Sequence, residues 1–239
     1  MKLLLLLMMI FALMNASKVC ASDFTWVNRV SFLSEYYSRG ISQTEERPAP
    51  QYETTLFHSS GLFAGIFVSR VEFLDGDQAD QELDYYLAYQ ETNGNWYHRV
   101  GAIYFTYPNS DENLNYNFLE FDAGIGYNFG PVYTEASFRF SPNHFGDSGK
   151  EIYSKLVTHI PIREDLKMKN HLAYRSVEKN EVFFNIPDSF DWELGLEYQT
   201  PIDGTALLLK YVDSTFGRNE CFNTDYCNER LIFGITHTF

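Results

Sequence analysis

Apolar and polar residues alternate with a period of two through most of this 239-residue chain, and that pattern commits it to strands. In FLEFDAGIGYNFG one face carries Leu119, Phe121, Ala123, Ile125, Tyr127 and Phe129, and the other carries Phe118, Glu120, Asp122, Gly124, Gly126 and Asn128. DWELGLEYQT sets Trp192, Leu194, Leu196 and Tyr198 against Glu193, Gly195, Glu197 and Gln199. ELDYYLAYQ puts Leu83, Tyr85, Leu87 and Tyr89 on one side. Successive strand side chains point to opposite faces, so each segment presents two different surfaces. Twelve segments read this way: 27–39, 51–59, 62–73, 82–91, 96–107, 117–129, 132–141, 151–160, 166–175, 190–199, 205–213 and 229–239. The alternation is less clean near 51–59 and 151–160, and no stretch has the length and period of an amphipathic helix.

The connections are sorted by length. After even-numbered segments they are short: SSG, TNGN, GP, PIRED and TPIDG. After odd-numbered segments they are mostly longer and more polar: ISQTEERPAP, LDGDQADQ, PNSDENLN, SPNHFGDSGK, SVEKNEVFFNIPDS and STFGRNECFNTDYCN. An up-and-down arrangement then gathers every long loop at one end and every short turn at the other, as outer-membrane barrels do. A Lys or Arg facing lipid near the midplane costs about 2–4 kcal/mol. In LKMKNHLAYR, Lys167, Lys169, His171 and Arg175 therefore belong to a lumen, and Leu166, Met168, Leu172 and Tyr174 to lipid.

A secreted soluble barrel with its apolar face inward accounts equally well for the alternation. It gives no reason for the loop sorting, or for aromatic residues forming 17% of the chain with many near strand ends. Such residues girdle a membrane barrel at the interfaces. The expected fold is all-β, a transmembrane antiparallel up-and-down β-barrel of about 12 strands over residues 22–239.

The opening MKLLLLLMMIFALMNASKVCA reads as a signal peptide at residues 1–21, with Val19-Cys20-Ala21 before the cleavage point. Its apolar run, 3–14, falls short of the ~20 residues a spanning helix needs, and Ser17-Lys18-Val19 is a poor lead-in for lipidation of Cys20. Export followed by barrel formation places the chain in a bacterial outer membrane, reached through the periplasm. The 18 Lys and Arg against 32 Asp and Glu give a net charge of −14, which argues against a nucleic-acid partner. Beyond the leader only Cys221 and Cys227 remain, in NECFNTDYCNER. An oxidising compartment permits a disulfide between them. Closing so small a loop is worth roughly 2 kcal/mol by chain entropy.

The stretch SEYYSRGISQTEERPAPQ, followed by HSSGLFAGIFVSRVEF, resembles the opening of the TorF (Gcw_chp) family of porin-type Gram-negative outer-membrane β-barrels. Its members share a first strand ending in an Arg-Gly-Ile-Ser-Gln run, here Arg39-Gly40-Ile41-Ser42-Gln43. Their next hairpin turns on Ser-Gly, here Ser60-Gly61. The likeness is specific over residues 31–73 and rests on general barrel character beyond them. It implies porin architecture without a defined substrate, with Gly40 at a strand-to-loop bend and Arg39 at the outer mouth. The ending RLIFGITHTF also resembles the signal read by the barrel-assembly machinery of Gram-negative bacteria. In that likeness Leu231, Phe233, Ile235 and Phe239 are the signal residues, with His237 where an aromatic is more usual. The machinery is the implied partner during biogenesis.

Candidate chemistry is sparse. His58, His98, His144, His159, His171 and His237 are scattered without metal-ligand spacing, so no metal or cofactor is expected. LDGDQAD lacks the glycine placement and closing Glu of a Ca²⁺ loop. Some outer-membrane lipid hydrolases are twelve-stranded and need a Ser beside a His base. The candidates here are His144 with Ser148 in one long loop, and His58-Ser59-Ser60 at a short turn. Loop-forming polar residues explain both, and no enzyme is expected.

The expected pore lining is Arg99, Glu120, Asp122, Glu135, Arg139, Lys167, Lys169, Glu193, Glu197, Lys210 and Arg230. Mixed signs on an inward face can line an aqueous channel or pair into a plug. The favoured function is passive diffusion of small hydrophilic solutes or ions, with a mild cation preference from the acidic loops. The alternatives are a closed structural or surface-interaction barrel and, behind it, a lipid hydrolase.

Overall fold

The computed structural model describes residues 23–73, 79–179, 187–221 and 223–239. The leader expected at residues 1–21 lies outside them, as do residues 74–78 and 180–186. Fourteen strands occur in chain order. They are β1 (Phe24–Leu33), β2 (Tyr37–Ser38), β3 (Ile41–Ser42), β4 (Ala49–His58), β5 (Leu62–Arg70), β6 (Gln81–Asn93) and β7 (Trp96–Thr106), then β8 (Phe118–Phe129), β9 (Val132–Ser141), β10 (Glu151–Arg163), β11 (Leu166–Val177), β12 (Ser189–Gln199), β13 (Thr205–Ser214) and β14 (Arg230–Thr238). Twelve close into an antiparallel barrel in which each pairs with its neighbours in sequence, while β2 and β3 pair only with each other.

The barrel closes where β1 meets β14. β1 bonds β4 along its whole length and β14 from Arg29↔Thr238 to Leu33↔Gly234. At the end, the Phe239 N–H donates to Asn28 O and the Asn28 N–H donates to Phe239 O, each at 2.9 Å. Phe239 thus takes part in the ladder of the closing pair.

The two faces are inverted relative to a protein in water. Trp26, Leu87, Val100, Phe121, Phe129, Leu172, Leu194, Leu231 and Phe233 are exposed on the outside. Glu82, Glu120, Glu151, Arg175 and Asp191 are among the most buried side chains. A continuous apolar surface of this kind is stable only against another apolar medium. Charges turned inward can pair and keep polar contacts. That excludes the soluble alternative, whose apolar face would point inward. Among the described residues no helix is long and apolar enough to cross a membrane, and the strands do so instead.

Several strand boundaries differ from expectation. The first strand, expected over 27–39, stops at Leu33. Residues 34–48 leave the sheet, and Tyr37–Ser38 folds back on Ile41–Ser42. Gly40 sits at that reversal with φ +84°, and a Cβ there would lie 2.8 Å from Ser214 Cβ. Only glycine meets both demands. At the turn end β10 runs on to Arg163, with a register shift between Pro161 and Arg163, because proline offers no N–H to the ladder.

Candidate functional site

Polar side chains projecting inward from neighbouring strands meet in layers down the lumen. All eleven residues expected to line it lie on the inward face, and every one is in an ion pair. Arg99 bridges Asp122 (2.7 Å) and Glu135 (3.1 Å). Arg139 reaches Asp122 at 3.2 Å and Glu120 at 3.7 Å. Towards the short turns Glu197 takes both Lys167 and Lys169, and Lys210 bonds Glu193 at 3.2 Å. Arg230 lies near the long loops, against Glu35 (2.8 Å) and Glu46 (3.2 Å).

The unexpected member of this interior is Arg39. Expected at the outer mouth, it stands at the long-loop end of the barrel, on a first long loop that folds inward. There its guanidinium bridges Glu120 on β8 (2.6 Å) and Glu151 on β10, and stacks over Tyr153 at 4.7 Å. Arg175 holds the second oxygen of Glu151 at 2.8 Å. Burial would push the Arg39 pKa down, but the carboxylates of Glu120 and Glu151 outweigh it and raise it. His144 lies in the same cluster, 3.2 Å from Glu151. Burial drives its pKa down to about 3 against the pull of that carboxylate, so it is neutral.

Glu120, His144 and Glu151 come close enough to offer a three-ligand metal set, a meeting that the separation of these residues along the chain does not reveal. Their carboxylates are already taken by Arg39, Arg139 and Arg175, and a divalent cation would have to displace guanidinium groups. The hydrolase candidate also takes a definite form. Ser148 is fully buried, and among the described residues its Oγ has no hydrogen-bond partner, an imidazole included. At the short-turn end His58 Nδ1 and Ser60 Oγ are 2.8 Å apart.

The inserted loop is held from above by the last long loop. Cys221 and Cys227 form the expected disulfide, which packs with Phe216 against Ile41 and Tyr226. The Ser42 N–H donates to Tyr226 O at 2.8 Å. Two cavities remain. One of about 370 Å³ opens at the long-loop end among Tyr36, Arg39, Glu82, Asp84, Phe105 and Tyr107. The other, about 400 Å³, runs along the inner face of β1 and β11–β14 past Arg29, Lys169, Glu193, Glu197 and Lys210.

Glu82, Asp84, Glu151 and Asp191 were missed as lumen residues, whereas Arg175 was already assigned to the lumen face. The alternation that exposes Leu83 and Tyr85 already turns Glu82 and Asp84 inward. Arg39 carried no such signal, because its place depends on a loop returning through the barrel.

A charged interior inside an apolar exterior, closed by an antiparallel seam, defines a transmembrane β-barrel of the outer-membrane porin type. The chain belongs to the family described as "Bacterial protein of unknown function (Gcw_chp)", whose model matches residues 17–239. No curated protein matches it in sequence. Among solved structures it is similar to the KdgM porin in complex with disordered oligogalacturonate, with a TM-score of 0.59 at 9% identity over 90% of this chain and 99% of that one. It is also similar to the NanC porin, with a TM-score of 0.57 at 12% identity and the same two coverages. At these identities the likeness is one of fold.

Proposed function

We propose that this protein is an outer-membrane channel through which small hydrophilic solutes or ions diffuse, with a mild preference for cations. The observation that carries the reading is the charged lumen, which leaves a cavity on either side of its paired layers. A barrel that served only as scaffold would be more stable filled with apolar side chains, because buried ion pairs contribute little net stability. The eleven inward residues, with Arg39, form its lining. The cation preference is supported by the net charge of −14 and by Glu82 and Asp84, which enter no ion pair among the described residues. Residues 1–21 would direct export, and Leu231, Phe233, Ile235 and Phe239 would be read by the barrel-assembly machinery. No chemical step is involved, and Ser148→Ala should leave lipid turnover unchanged.

The test is single-channel conductance of refolded protein in a planar bilayer under a KCl gradient, with folding verified by the migration shift of unheated samples. Discrete steps with a reversal potential of cation-selective sign are expected. Equal K⁺ and Cl⁻ permeability, or an anion bias, overturns the preference, and silence from folded protein overturns the channel.

The Arg39 cluster gives a specific reason to keep a second reading, a closed barrel whose long loops bind a partner. Cysteines placed at Glu120 and Glu197 separate the two. Labelling at both by a membrane-impermeant thiol reagent favours the channel, and protection of both favours the closed barrel.

A further inference from the structure

We infer that the cavity at the long-loop end is a binding site for a compact organic cation carrying N–H donors, a protonated amine. This deepens the channel reading by naming a class of solute; the binding itself does not depend on conduction.

Two carboxylates define the site. Glu82 and Asp84 project from the same face of β6 into the cavity, with side chains buried to 3% and 6% exposure. The hydroxyls of Tyr36 and Tyr107 donate to the two oxygens of Glu82, at 2.9 and 2.8 Å. Those bonds fix its position and leave its charge uncompensated. Asp84 is barer, and among the described residues its buried Oδ1 has no hydrogen-bond partner. An unpaired buried carboxylate oxygen costs free energy until a donor reaches it.

The cavity's own cations do not fill that role. Arg39, Arg139 and Arg175 all border it, yet each is engaged by Glu120, Asp122 or Glu151. The other bordering carboxylates are paired as well, Glu53 with Arg29 and Glu72 with Arg47 and Arg70. Among the described residues that border the cavity, the acidic side chains without an ion-pair partner are therefore Glu82 and Asp84.

The walls narrow the ligand further. Phe105 and Phe118 stack at 4.4 Å, and Tyr36, Tyr86 and Tyr107 complete an aromatic surround. Aromatic faces attract cations and cover an alkyl skeleton. A bare divalent ion would instead want six or more oxygen ligands, which these walls do not offer. The volume, about 370 Å³, lies within the roughly 300–1,000 Å³ of small-molecule sites. Asp84 Oδ1 requires a hydrogen-bond donor, which favours primary and secondary ammonium over a quaternary one.

The test is isothermal titration of the folded full-length barrel in detergent with 1,4-diaminobutane at pH 7. Butan-1-ol and tetramethylammonium serve as comparison probes. The diamine should bind at one site, and neither comparison probe should match it. Asp84→Asn should weaken binding about tenfold or more, the scale of a lost charge-assisted hydrogen bond. Glu82→Gln provides an independent variant should the first refold poorly. Glu91→Gln, on the exposed face at the far end of β6, should bind as wild type does. No diamine binding, equal binding of butan-1-ol, or undiminished binding in both carboxylate variants overturns the site. Bilayer recordings of the same sample keep the two readings apart. Conductance without diamine binding refutes only the site, and binding by a silent barrel supports the site while refuting the channel.

Discussion

Replacing Arg39 by alanine tests whether the inserted loop is anchored by charge. The guanidinium is the nearest cation to Glu120, at 2.6 Å, with Arg139 standing off at 3.7 Å. It shares Glu151 with Arg175. The Arg39 side chain is 12% exposed and both carboxylates are 1% exposed, so water cannot readily replace it. Removing one partner of a buried pair costs about 3–5 kcal/mol. Arg139 and Arg175 remain nearby, which reduces the expected loss to about 2–3 kcal/mol. Urea unfolding in lipid vesicles, followed by tryptophan fluorescence and the gel shift of folded barrel, measures it. Glu120→Gln in the Arg39→Ala background should recover at least ~1 kcal/mol, because it removes the stranded charge. A loss below ~0.5 kcal/mol for Arg39→Ala, or strict additivity of the two substitutions, would refute the anchoring. Channels formed by Arg39→Ala should also conduct more than wild type, since the loop would no longer be tied across the lumen.

Acid should weaken the protein through His144, whose folded pKa of about 3 lies below its unfolded value. The unfolded chain then binds the extra proton, so this contribution is complete above about pH 6.5 and is lost between there and about pH 3. His144→Asn should flatten the pH dependence of unfolding in that window by up to ~1.4 kcal/mol per pH unit; an unchanged slope would count against it. Cys221→Ser with Cys227→Ser should cost roughly 2 kcal/mol and speed hydrogen exchange at Ser42, whose N–H bonds to Tyr226 in the stapled loop. Unaltered protection at Ser42 would mean the disulfide does not secure the inserted loop. Phe239→Ala should lower the amount of barrel recovered in the outer membrane while the purified variant still refolds from urea. Equal amounts of both proteins in the membrane would remove the assembly role.

Most of the architecture was legible because strand periodicity is local. Each side chain's face follows from its neighbours two residues away, so the twelve strands, the outer face and the inward direction of the eleven ion-paired residues could be read from one segment at a time. Loop lengths added the ordering of the two ends. The same logic reached Glu82 and Asp84, whose inward direction is implied by Leu83 and Tyr85.

What the tertiary structure alone decided is where charges meet. Arg39 and Glu151 are 112 residues apart, and nothing local brings them together. Tyr36 and Tyr37 follow a segment that reads as strand, yet they belong to a loop that turns back into the barrel. Closing the sheet puts Glu120 and Glu151 opposite that loop, and the energetic cost of leaving two buried carboxylates unpaired selects the arginine that fills the gap. Alternation determines which way a side chain points; only closure of the barrel determines what it finds there.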